Sequence, residues 1–482
     1  MRRYALMTLM TLTLASGCRS TAPPHAVVKP PTVSVSQQES AGKSRPPATR
    51  DRSEPAVRPV AFQEPLPEAE TIPAPTEWNI ESANELRLQA FVAEVVARHP
   101  SVQAMVAAWQ AAAQRYPQVV ALDDPMFMVM TAPGSLNSST TEGAYVLELR
   151  QKLPWLGKRS LRGDAALEET AAAQHEVQDA RLKIALIAQL AYLEYFLADQ
   201  QFNLNNQNLK LMNEFRETAQ IRYRTNQVTQ QDVLQADVEL ADLERRQLEL
   251  RRMKRVAAAR MNTLLLRAVD TPLPRPVLET TATENITDDT SLLHSWALRN
   301  RPDLAALAHR VEVESVNVEL AYKQFYPDLE LFARYDSFWQ PASTQGPLRG
   351  QVGVSSSLPV YRRKLNAAVC EAQFRLQRQR AEYDQLANDI RLEVQTAWEQ
   401  IQESQQALDL YQEKLLPASE QYLAAARSNY EVGKATFLDI VQAQRQLVMA
   451  REKQIQAKAT LAQRAVELER SLGGSMPMPA SP

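Results

Sequence analysis

Apolar positions in the second half of the chain fall into a long seam. Ile390, Val394, Ala397, Ile401, Ser404, Leu408, Tyr411 and Leu415 follow one another by alternating steps of four and three, the spacing of a heptad repeat. Leu182, Leu186, Leu190, Leu193, Leu197, Leu204 and Leu211 keep the same kind of stripe in the first half. The positions around both stripes carry Gln, Glu, Arg and Ala, which are good helix formers. The pattern predicts a helix from Arg363 to Tyr430 with a kink at Pro417, because proline lacks the N–H and clashes with the preceding turn. At 1.5 Å per residue such a helix is about 100 Å long. A return helix is predicted from about Leu438 to Leu472, ended by Gly473 and Gly474.

Elsewhere the period shortens to two. Leu329, Leu331, Ala333 and Tyr335 alternate with Glu330, Phe332, Arg334 and Asp336, and Val352, Val354, Ser356 and Leu358 with Gln351, Gly353, Ser355 and Ser357. The first half offers Tyr145, Leu147 and Leu149 against Val146, Glu148 and Arg150, preceded by Met126 to Met130. One apolar and one polar face at about ten residues per strand fits a transmembrane barrel strand with lipid outside and water inside. It also fits a soluble hairpin packed on a core. Four strands cannot close a pore, and open edges are not tolerated in lipid. Strands that span a membrane here therefore require several copies of the chain in one barrel. Met126, Met128 and Met130 share one strand face, which suits a soft metal; apolar packing against lipid or core is the expectation.

The folded part is written twice. Tyr116-Pro117 recurs as Tyr326-Pro327, and Leu153-Pro154 as Leu358-Pro359. Tyr223, Asp232, Gln235 and Ala236 recur at one constant offset as Tyr430, Asp439, Gln442 and Ala443. Each half reads as helix, short alternating strands, a very long helix, a tight turn and a second long helix. The first repeat is set at 79–280 and the second at 281–473, with a disordered tail at 474–482.

Composition sharpens this. The 482 residues hold 12 glycines, far below the usual ~7%, as expected of long helices with few turns. Fifty-four Lys and Arg against 56 Asp and Glu give a net charge of −2, so no global basic field invites nucleic acid. Cys18 and Cys370 are too few for a disulfide framework. Arg2, Arg3, the apolar run Tyr4–Leu14 and Ala15-Ser16-Gly17-Cys18 have the parts of an export signal. They resemble a bacterial lipoprotein signal peptide over 1–17, with Cys18 as the lipidated residue. A plain signal peptide with an incidental cysteine is the other reading. Residues 18–78 hold twelve of the 29 prolines and read as a flexible linker.

The stretch from Leu415-Leu416-Pro417 through Tyr430-Glu431-Val432-Gly433-Lys434 to Asp439 and Arg445-Gln446-Leu447 resembles the TolC-type outer-membrane efflux family. Gln151-Lys152-Leu153-Pro154 with Gly157-Lys158-Arg159, and the two-fold repeat, carry the same resemblance over about residues 80 to 473. It implies a mainly α fold in which long antiparallel coiled-coil hairpins form a periplasmic α-barrel. Four amphipathic strands per chain would contribute to a trimeric transmembrane β-barrel in the outer membrane. The implied partners are a periplasmic adaptor, an inner-membrane transporter, outer-membrane lipid and two further copies of the chain. Asp439, Tyr430 and Gln442 take the positions of a periplasmic gate, with Gln442 where the family has a second aspartate. Val432 and Gly433 match the adaptor-contact turn; Asn226 and Val228 occupy the corresponding turn of the first half. A plain turn at Gly433, and helix N-terminal charge compensation at Asp439 and Asp232, are the competing readings.

No Walker loop, G-x-S-x-G or H-E-x-x-H occurs, and the five histidines are scattered. Neither catalysis nor a cofactor or metal site is expected. Three functions stay open: an efflux duct for metal cations or organic molecules, a type I protein secretion duct, and a structural coiled-coil lipoprotein without a pore.

Overall fold

The computed structural model describes residues 85–131, 145–278, 289–336 and 350–474, all within one compact unit, Pro73–Pro482. The signal peptide, Cys18, the 18–78 linker and the tail beyond Gly474 lie outside the described residues. Both halves open on a helix pair whose second member begins at a proline: α1 (Leu88–Arg98) and α2 (Pro100–Ala113), then α6 (Thr290–Asn300) and α7 (Pro302–Lys323). Proline suits that first helical position because its missing N–H has no intrahelical partner there anyway. A short α3 (Arg115–Val120) follows α2.

Next come the strands, β2 (Met126–Thr131) and β3 (Tyr145–Leu153) in the first half, β5 (Leu329–Asp336) and β6 (Gly350–Ser356) in the second. They form one antiparallel sheet in the order β2-β3-β5-β6, so the two repeats join at β3–β5. The Tyr-Pro and Leu-Pro motifs meet beneath this seam. Trp155 stacks on Tyr326 with ring centroids 5.6 Å apart. Lys158 Nζ donates to Asp328 Oδ1 at 2.8 Å and to Tyr326 O at 3.0 Å.

The long helices then leave the sheet. α4 (Lys158–Arg224) has 67 residues and returns as α5 (Gln230–Leu264). α8 (Arg362–Leu410) is followed by a π-helical turn (Tyr411–Leu415), α9 (Leu416–Glu431) and α10 (Phe437–Ser471). The disturbance expected at Pro417 therefore begins one turn earlier. Pro417 cannot donate to Glu413 O and its ring crowds that carbonyl; widening the preceding turn to π geometry relieves both. None of the described helices is long and apolar enough to cross a membrane.

The seam Ile390, Val394, Ala397, Ile401, Ser404, Leu408 is buried as read, whereas Leu415 at the end of the π turn is exposed. The leucine stripe of α4 is not its seam. Ile184, Ala188, Ala191, Tyr195 and Ala198 form the fully buried line, while most of the predicted leucines are only half-buried. α4 packs against α5, α7, α2 and α10. Small residues take the closest approach and leucines fill the shoulders.

A second, two-stranded parallel sheet escaped the sequence: β1 (Glu85–Arg87) pairs with β4 (Arg275–Val277). Tyr192, fully buried, pins it. Its hydroxyl lies 2.6 Å from Leu86 O and 2.7 Å from Val277 O, and accepts from Val277 N at 3.0 Å. Replacing Tyr192 with Phe strands those backbone groups at a cost of about 1–3 kcal/mol. A lowered midpoint in denaturant or thermal unfolding is the expected result.

Candidate functional site

Two regions concentrate unusual features: the tips of the two helical hairpins and the four-stranded sheet. At the tips, the last turn of α4 closes with Asn226 N–H on Tyr223 O at 3.0 Å and Gln227 N–H on Arg222 O at 2.9 Å. α9 closes identically, with Gly433 N–H on Tyr430 O at 3.1 Å and Lys434 N–H on Asn429 O at 2.8 Å. This is the Schellman pattern, which needs a left-handed residue after the helix. Asn226 supplies it at φ 55° and Gly433 at φ 73°. Glycine is the easiest residue there, and asparagine tolerates the same region.

The return helices start on Thr229 and Thr436. In the second half the cap is complete. Thr436 N–H and its hydroxyl each donate to Asp439 Oδ2 at 2.8 Å, and Asp439 N–H donates back to Thr436 Oγ1 at 3.3 Å. Those bonds, backbone first and hydroxyl second, hold the Asp439 carboxyl below its ordinary value. In the first half the box is loose, with Thr229 Oγ1 3.5 Å from Asp232 Oδ1. Asp439 is thus a capping residue whose carboxylate remains half-exposed, and Gln442, one turn further along α10, is exposed.

Tyr430 points inward and is 9% exposed. Arg222 of the first hairpin lies 4.6 Å from its ring centroid, and Phe437 packs edge-on at 6.2 Å. Burial raises the Tyr430 phenol pKa. The ring joins the two tips, along with Ala219, Ala236, Leu423, Ile440 and Leu447. Val432, Gly433 and Asn226 stand exposed at the extremity, whereas Val228 is half-buried on the tip core. Sequence reading passed over the partners that bind the hairpins together. Arg222 covers Tyr430, Arg445 pairs with Glu239, and Gln444 donates to Asn208 at 3.0 Å. Repeat symmetry gives no signal for Arg222, since its counterpart is Asn429.

The sheet separates its residues by face. Register puts Phe127, Val129, Leu147, Leu149, Leu331, Ala333, Val352 and Val354 on one side. The other carries Glu148, Arg150, Lys152, Glu330, Arg334 and Gln351. Glu148 bonds Arg150 along its own strand. Met126, Met128 and Met130 oppose Arg150, Glu148 and Val146. The methionines therefore share the face of Glu148 and Arg150, while Phe127 and Val129, interleaved with them, occupy the apolar side. Among the described residues β2 and β6 each pair on one side only, and no cluster of three or more His, Cys, Asp or Glu could hold a metal.

Residues 293–474, from α6 to the end of α10, match the model of the outer membrane efflux protein family. The chain resembles the TolC-type outer-membrane efflux proteins in both sequence and fold. The toluene efflux pump outer membrane protein TtgC of Pseudomonas putida is 24% identical over 375 residues, 73% of this chain and 72% of that one. The cobalt-zinc-cadmium resistance protein CzcC of Cupriavidus metallidurans is 28% identical over 182 residues, 36% and 41% of the two chains. Among solved structures, CusC superposes with a TM-score of 0.71 at 16% identity, over 80% of this chain and 92% of that one. At that identity the superposition speaks for the fold.

Gly433→Ala should destabilise the tip by about 1–2 kcal/mol through backbone strain alone, since a Cβ there meets nothing within 4 Å. Asn226→Gly should be tolerated. Comparative thermal unfolding checks both. The lowered pKa of Asp439 contributes stability above the unfolded carboxyl value and loses it as pH falls through the folded value. The stability gap between the native protein and Asp439→Asn should therefore shrink as pH drops below about 4, read from unfolding curves across that range.

Proposed function

We propose that the chain is one subunit of a passive outer-membrane exit duct serving a tripartite efflux pump. The observation that carries the reading is the sheet, apolar on one face, charged on the other and, among the described residues, unpaired at both edges. An edge in hydrocarbon leaves backbone groups without partners, so β6 of one copy would pair with β2 of the next. Three copies of a four-stranded sheet make a twelve-stranded barrel, lined by Glu148, Arg150, Glu330 and Arg334. The two helical hairpins of each copy would continue it as an α-barrel through the periplasm, with Cys18 lipid-anchored in the outer membrane.

At the far end, Asp439 and Gln442 would line the closed entrance, and Tyr430 with Arg222 would hold the two hairpins of a copy together there. Val432, Gly433 and Asn226 would meet a periplasmic adaptor protein, with Val228 supporting the turn from beneath. Adaptor and inner-membrane transporter would supply energy and choose cargo. The names of TtgC and CzcC span an organic solvent and metal cations, so small molecules of either class fit the duct.

Purified protein in a planar bilayer should show discrete conductance steps. A protein that never conducts would instead fit a pore-free coiled-coil lipoprotein. A ring of Asp439 carboxylates favours cations, so Asp439→Asn should move the reversal potential in a salt gradient toward anions. An unchanged potential would remove Asp439 from the entrance.

A further inference from the structure

The two repeats meet through one strand contact that a ring of copies would make again. Inside the chain, β3, the second strand of the first repeat, pairs with β5, the first strand of the second. Its counterpart between copies is β6 beside β2 of the next. The in-chain seam is locked just beyond its last paired residues, Leu153 and Leu329. Past Leu153, the buried Lys158 donates through Nζ to Asp328 Oδ1 at 2.8 Å, and Asp328 directly precedes β5. A cation after one strand thus meets a carboxylate before the other.

The two edge strands carry the same charges in the same places. Arg363 stands as far beyond Leu358-Pro359 as Lys158 does beyond Leu153-Pro154, and Lys364 follows it. Asp123 and Asp124 precede β2, set off from it by Pro125. All four side chains are exposed within one copy, and none forms an ion pair among the described residues. Gln151 of β3 holds the acidic segment by donating to Asp123 O at 2.6 Å. Arg362 lies over the Phe325 ring, 5.6 Å from its centroid, so it is Arg363 and Lys364 that face outward unmatched.

In an antiparallel pair the end of one strand lies beside the start of the other. β6 against β2 therefore sets these two cations beside these two carboxylates. β6 against a second β6, or β2 against a second β2, brings the opposite charges together at neither strand end. Closing the edge also withdraws the groups from free water, where an unmatched charge is costly.

We propose that Arg363 and Lys364 of one copy form an ion cluster with Asp123 and Asp124 of the next, at the junction between sheet and helices. The inference rests on the ring reading above. The cluster holds the place between copies that Lys158 and Asp328 hold within one, and it specifies which edge meets which. Matching of this kind selects the partner surface and speeds correct encounter more than it adds affinity.

The test follows assembly of the full-length protein, refolded from denaturant into detergent micelles, as oligomer on a native gel. Arg363→Glu with Lys364→Glu should slow oligomer formation about tenfold at low salt, and so should Asp123→Lys with Asp124→Lys. Combining all four substitutions should restore the native rate, because the charges are then exchanged across the seam. The native rate should fall as salt rises, and the neutral pair Arg363→Gln with Lys364→Gln should flatten that dependence without reversing any charge. Either reversed pair assembling at the native rate, a combined variant no faster than its parents, or an unchanged salt dependence in the neutral pair would overturn the proposal. Cysteine pairs along β2 and β6 tell the two readings apart. Cross-linked rings whose assembly ignores these charges sink only the ion cluster, and a native protein that forms no oligomer sinks both.

Discussion

Backbone N–H and C=O groups along the outer edges of β2 and β6 have no partners within the described sheet. In water such edges are a nuisance; in hydrocarbon each unsatisfied group costs several kcal/mol. The side chains on one face, from Phe127 across to Val354, make hydrocarbon the favourable surroundings for that face. The opposing charges of Glu148, Arg150 and Arg334 demand water or one another. A closed ring of copies satisfies edges, apolar face and charged face together, and the rest of the account follows from that closure. In the proposed ring, the helices that leave the sheet would form a ring of their own.

Those helices are held by narrow means. Alanines along the α4 seam permit close approach, while amides and ion pairs tie the hairpins to each other. Asn205 donates to Gln247 at 2.7 Å between α4 and α5, and Gln444 of α10 donates to Asn208. Buried amides paired across helices fix the register of sliding helices, because a shifted register would leave them bare. Arg246–Glu452 at 2.7 Å bridges α5 and α10 at the surface, where such a pair contributes little energy. An assembly of this kind resists slippage through its polar pairs and resists separation through its apolar seams.

Local patterns were legible and pairings were not. The Ile390–Leu408 seam, the period-two strands and the tip turns follow from short-range rules, and Asn226 adopts the left-handed geometry that its position demands. The α4 leucines misled because a helix packed against several others buries small residues at the closest approaches. The methionines misled because residue type suggested apolar packing, whereas register against β3 decided their face. β1 and β4 are three residues each, too short for any period, and are joined from far apart through Tyr192. Arg222 over Tyr430 is equally non-local. At the tip, Asp439 was legible as charge compensation at a helix start, and only the geometry displays its closed capping box with Thr436.

Ring closure through the sheet edges is the claim on which everything else depends, and cysteine cross-linking between copies tests it most directly. With Cys370 replaced by Ser, cysteines are placed in pairs along the apolar rows, Phe127 or Val129 on β2 with Val352 or Val354 on β6. Joined edges bring at least one such pair within disulfide reach. Oxidation of the protein in membranes should then yield a covalent species of three chains on a denaturing gel. Products confined to single chains, at every pair tried, would contradict the closed ring.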